Sequence, residues 1–76
     1  MQWQIHIYHP TANTATYFKT YDTMKDLSAD AHALHACGID TDIYHVMQNG
    51  KRFQIAQRLA EEPFESFEEI YIPNAV

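Results

Sequence analysis

From Gln2 to His9 apolar and polar residues alternate: Trp3, Ile5 and Ile7 point one way, Gln2, Gln4, His6 and Tyr8 the other. A period of two belongs to a strand with one buried face. Residues 10–13 supply turn formers. Residues 15–21 are again β-rich, but apolar groups occupy both sides: Phe18 with Thr16 and Thr20, or Tyr17 and Tyr21 with Lys19. The lysine tips the expectation toward Phe18 inward. The period then changes. Within residues 22–38, Met24, Leu27, Ala31 and Leu34 recur at steps of three, four and three. At 100° per residue they form one helical stripe about 80° wide. Thr23 is the expected N-cap, with Asp26 three residues on as in a capping box. Gly38 supplies the left-handed stop, and Ile39 stands where a Schellman motif places an apolar partner for Leu34.

Two more β-rich runs, residues 41–48 and 51–59, flank Asn49-Gly50, the dipeptide favoured in two-residue hairpin loops because both positions need φ > 0. Such a loop sets Val46 opposite Phe53, Tyr44 opposite Ile55 and Ile43 opposite Ala56. It puts Tyr44, Val46, Phe53 and Ile55 on the helix side, and Ile43, His45, Met47, Arg52, Gln54 and Arg58 on the outer side. Past Pro63, Phe64 and Phe67 are too apolar for a free tail. Residues 70–72 read as a short last strand; alternatively, Pro63 opens a short helix through Glu69. The sum is an α+β domain spanning residues 1–76. One helix packs on a four- or five-stranded, mainly antiparallel sheet in the order ββαββ, with a short acidic last element.

Composition narrows the function. A 76-residue chain buries only about 60% of its unfolded surface, and Cys37, its single cysteine, rules out an internal disulfide. A partner chain is the expected source of added stability, so a homodimer is one expectation. A lone thiol, no basic leader and no apolar run of membrane length point to a cytoplasmic protein without a membrane partner. The net charge of −5 is uneven. Residues 1–60 balance Lys19, Lys25, Lys51, Arg52 and Arg58 against five Asp; Glu61, Glu62, Glu65, Glu68 and Glu69 then carry the whole excess. That balance argues against direct contact with nucleic acid, whose phosphates demand Lys and Arg.

Catalytic signals are weak. His32, His35 and Cys37 spell a metal-like HALHAC, but on a helix Cys37 lies roughly 140–160° from either histidine. The imidazoles fit better as complements to the negative C-terminal pole of the helix. Cys37 is at the wrong pole for a depressed thiol pKa and reads as a buried or half-buried filler. Ser28 and Ser66 lack a nucleophile-elbow context, and Gly38 and Gly50 are the only glycines, too few for a phosphate loop. No cofactor, metal or enzymatic activity is expected. His6 and His45, both expected on the outer sheet face, are the alternative: a shared ligand or metal site in a small, possibly dimeric domain; a homo-oligomeric structural subunit is the other alternative.

Recognition surfaces are better supported. The expected outer face gathers Gln2, Gln4, His6, Tyr8, Ile43, His45, Met47, Arg52 and Gln54; Tyr, Met and Arg are interface-enriched types. In the acidic element, Phe64, Phe67, Ile70 and Tyr71 interleave with the glutamates, and an acidic–aromatic stripe matches a basic protein surface. Candidate partner-binding residues are therefore Glu61, Glu62, Glu65, Phe67, Glu68 and Glu69, with Tyr8 and Met47 on the sheet. In architecture and charge the chain resembles the small anti-CRISPR inhibitors of phages and mobile elements. That resemblance implies an acidic, non-enzymatic inhibitor of a larger basic protein or nucleic-acid-binding complex, and it assigns no residue a role.

Overall fold

The alternation of Trp3, Ile5 and Ile7 with polar neighbours becomes β1 (Gln2–His9), in which Trp3 and Ile5 are buried. The structure, a computed structural model, describes residues 2–67. After β1 come β2 (Thr14–Tyr21), α1 (Met24–Ala36), β3 (Thr41–Val46) and β4 (Arg52–Arg58). All pairings are antiparallel, in the order β2-β1-β3-β4. Two hairpins thus share one sheet, with β1 and β3 central and β2 and β4 at the edges. The helix covers one face, as the α+β expectation required.

Helix α1 begins and ends where the sequence places it. Thr23 is the N-cap, with φ −131°, and its side-chain oxygen accepts the Asp26 N–H at 3.1 Å. At the other end Gly38 has φ +80°, Ile39 N–H donates to the Leu34 carbonyl at 3.0 Å, and Gly38 N–H donates to that of His35 at 3.0 Å. Those are the two bonds of a Schellman motif. Leu27 and Ala31 are fully buried and Met24 and Leu34 pack beside them. Cys37, at the C-cap, is exposed rather than a filler.

Two bulges decide which side chains reach the core, and both correct the alternation read from sequence. In β2 the register slips between Ile5 and His6, so that Ile5 faces Lys19, His6 faces Tyr17, and Phe18 has no partner. Phe18 is 44% exposed, whereas Tyr21 is buried and donates from its hydroxyl to Asp30 Oδ2 at 2.6 Å. In β3–β4, Val46 faces Arg52, His45 faces Phe53 and Tyr44 faces Gln54, and skipping Ile55 restores the expected pair of Ile43 and Ala56. The turn explains the slip. Gly50 N–H donates to Met47 O at 2.9 Å and Met47 N–H to Lys51 O at 2.7 Å. Among the described non-glycine residues only Asn13 has positive φ, so Asn49 cannot form the two-residue type I′ loop. The connection is a three-residue loop closed by Gly50 at φ +84°.

Cross-strand partners share a face. Ile43 and His45 pair with Ile5 and Trp3 on the helix side, and Tyr44 joins Gln4 on the outer side. Ile43 is fully buried in the core, the reverse of its expected facing. Arg58 also turns to the helix side, opposite Thr41, and is buried. The core is Trp3, Ile5, Tyr21, Leu27, Ala31, Ile43 and Phe67. Residues 63–67 are irregular, so the alternative helix from Pro63 does not form across them. The expected strand at residues 70–72 lies outside the described residues, as do Glu68 and Glu69.

Candidate functional site

Leaving β4, the chain turns over residues 59–62 and folds back over the C-terminal half of α1. Several bonds hold it there. The Ala60 N–H donates to Asp40 Oδ1 at 2.7 Å, and the Glu62 N–H to Leu59 O at 3.1 Å. His35 Nε2–H donates to the Glu62 carbonyl at 2.6 Å, which fixes the tautomer of that imidazole. The Phe64 ring lies against both His32 and His35, at centroid distances of 4.8 Å and 5.3 Å, and meets Phe67 edge-on at 5.7 Å. The two histidines of HALHAC therefore pack against the segment that follows the sheet.

Arg58 is the bracket. Its Nε donates to Glu65 O at 2.9 Å, Nη1 to Gln57 O at 3.0 Å and Nη2 to Ser66 O at 3.5 Å, and the guanidinium lies 4.6 Å from the centre of the Phe67 ring. Burial lowers its pKa, an effect the nearby Glu65 charge partly offsets. Its hydrogen bonds go to carbonyls. Phe67 is only 2% exposed. It is a core residue held under Arg58 and is withdrawn from the expected partner-binding set. Glu61, Glu62 and Glu65 remain exposed, and none is ion-paired among the described residues. They sit at the end of the molecule where the helix carbonyls terminate, so the helix dipole adds partial negative charge to theirs.

The outer sheet face is built around His6. Its ring lies edge-on to Tyr17 at 5.7 Å and tilted on Tyr44 at 4.6 Å. Nε2 is 2.9 Å from Gln4 Oε1 and 3.1 Å from Arg52 Nη1: it can donate to the first or accept from the second. Arg52 also stacks over Tyr44 at 5.3 Å. Beside this cluster, Asp42 Oδ1 accepts from Gln57 Nε2 at 2.7 Å and from Gln54 Nε2 at 3.3 Å. Burial and the Arg52 charge lower the pKa of His6, against a smaller opposite effect of Asp42. The face is a consolidated polar and aromatic layer with His6 neutral at pH 7.

His45 is on the opposite face from His6, tilted against Trp3 at 5.9 Å and edge-on to Phe53 at 5.3 Å. A shared site of His6 and His45 is therefore excluded by the facing of β3. Nor are Tyr8 and Met47 brought together. Tyr8 lies at the end of β1 away from the β3–β4 turn, with its hydroxyl donating to Asn13 Oδ1 at 3.1 Å. Met47, 46% exposed, starts that turn. Among the described residues no group of His, Cys, Asp and Glu is arranged to hold a metal, and no helix is long and apolar enough to cross a membrane. Compared with protein-family models, curated proteins and solved structures, the chain matches none.

Sequence reasoning missed Arg58 as the anchor of the acidic segment, because strand alternation carried straight through Ile55 sent it outward, whereas the bulge there turns it to the helix side. A signal was available. An arginine ending a strand just before a Pro- and Phe-containing loop can cap the returning carbonyls of that loop.

Proposed function

We propose that this chain is a non-enzymatic binding protein whose acidic end occupies a basic, nucleic-acid-binding surface of a larger protein. An anti-CRISPR type of inhibitor is the form of that activity its size and charge suit. The observation that carries the reading is the anchoring of Glu61, Glu62 and Glu65. The backbone that bears them is tied to Asp40, His35 and Arg58, so carboxylates at the acidic pole are displayed on a fixed scaffold, with no ion-paired partner among the described residues. Preorganised charge avoids much of the ordering cost of binding that a free acidic tail would incur. It also matches, in sign, a surface evolved to hold phosphates.

The test is affinity capture from a cell lysate at low ionic strength, with wild type and a Glu61→Gln, Glu62→Gln, Glu65→Gln variant as baits. The expected result is a nucleic-acid-binding protein retained by wild type, lost with the variant and released from wild type by added DNA or RNA. Capture of the same protein by both baits, undisturbed by nucleic acid, would overturn the reading.

A further inference from the structure

Among the described residues the outer edge of β2 is an unpaired strand edge. Thr14 through Lys19 are all exposed, and no described segment pairs with that side of the strand. Two of the exposed large hydrophobic residues lie on it, Tyr17 at 54% and Phe18 at 44%. Tyr17 sits on the outer face opposite His6, and Phe18 occupies the bulge. An open edge bearing aromatic side chains is a template for another strand. Its usual guard, a lysine, is turned aside here: Lys19 Nζ is 3.8 Å from Asp30 Oδ2 and 5.5 Å from the centre of the Tyr21 ring.

We infer that β2 is the dimerisation edge of this protein, pairing antiparallel with β2 of a second copy across a two-fold axis perpendicular to the sheet. The result is one eight-stranded sheet with both helices on the same face. Charge selects this occupant and this edge. β2 carries no carboxylate, so pairing with itself opposes no acidic groups. The acidic segment leaves from β4, at the other edge. Joining through β2 leaves the two copies of β4 seven strand spacings apart, about 33 Å. That is several times the screening length of about 8 Å at physiological salt. Joining through β4 would instead bring the acidic segments together and set Arg52 against the Arg58 end of its partner strand. An interface of one strand and a few aromatic side chains is at the low end of stable interface sizes, about 1,200 Å² or less. An interface of that size is expected to associate weakly, as transient interfaces do.

Sedimentation equilibrium of the intact chain, from micromolar to about 1 mM, tests this against a variant carrying Ala15→Lys and Phe18→Lys. Both sites are exposed, so the added charges guard the edge without entering the core. Wild type is expected to dimerise over that range and the variant to remain monomeric, with the melting temperature that wild type shows at the dilute end. Hydrogen exchange on wild type supplies a second readout that needs no variant. β2 amides should gain protection with rising concentration, and β4 amides should not. A wild type that stays monomeric throughout, a dimer unaffected by the two lysines, or concentration-dependent protection in β4 instead of β2 would each overturn the inference.

Discussion

Phe67 shows how far one side chain can change role once its surroundings are known. It interleaves with glutamates in sequence, yet it lies under the Arg58 guanidinium in the core. Phe67→Ala is expected to destabilise the fold by about 3–5 kcal/mol, the cost of a large buried aromatic. That is much of the stability of a small domain. A urea midpoint moved by less than the equivalent of about 1 kcal/mol would put Phe67 back on the surface. His6 makes a second residue-scale prediction. Its pKa is lowered below 6.5 by burial and by Arg52, with Asp42 opposing. The unfolded chain therefore takes up the proton more readily, and stability falls as pH drops from 6.5 toward the folded-state pKa. Urea unfolding at about pH 7.5 and about pH 5.5 should show a larger loss for wild type than for His6→Gln. Equal losses would contradict a buried neutral imidazole. Neither role was legible beforehand, for a shared reason. Burial of Phe67 and of His6 comes from Arg58, Tyr17, Tyr44 and Arg52, neighbours that only the tertiary pairing supplies.

At the scale of elements, what local chemistry decides was readable and what register decides was not. The Thr23 cap, the Leu27 and Ala31 stripe and the Gly38 stop are each fixed within a few residues of chain, and all are found where the sequence places them. Strand facing depends on a count of residues from the turn, and a slip of one residue inverts it. The three-residue loop at Gln48, Asn49 and Gly50 made that slip in β3–β4, and the Ile55 bulge then restored the pairing of Ile43 with Ala56 while turning Ala56 and Arg58 to the helix side. The bulge at Phe18 did the same to β2. Gly50 remains the turn's essential residue. A Cβ there meets nothing within 4 Å, so the cost of replacement is the strain of φ +84° alone. Gly50→Val should therefore cost about 1–2 kcal/mol. An unchanged denaturation midpoint would mean that position 50 does not hold a left-handed conformation.

Over the whole molecule, charge and edge are arranged as opposites: β4 leads into the acidic pole and β2 offers a carboxylate-free, aromatic strand edge. A dimer through β2 would carry an acidic pole at each end and engage a repeated basic surface at two points, with the gain in avidity that linkage brings. The acidic side chains themselves should matter little to folding. Glu61→Gln, Glu62→Gln and Glu65→Gln together should change stability by no more than about 0.5 kcal/mol, because they are exposed and unpaired among the described residues. On the proposed function their effect belongs to encounter. The most direct test of the central claim is the association rate with the captured partner, measured across a salt series for wild type and this triple variant. The wild-type rate should be fast at low salt and fall steeply as salt screens the approach, while the variant should be slow and nearly flat. Equal rates and equal salt slopes would show that the acidic end serves solubility and not binding.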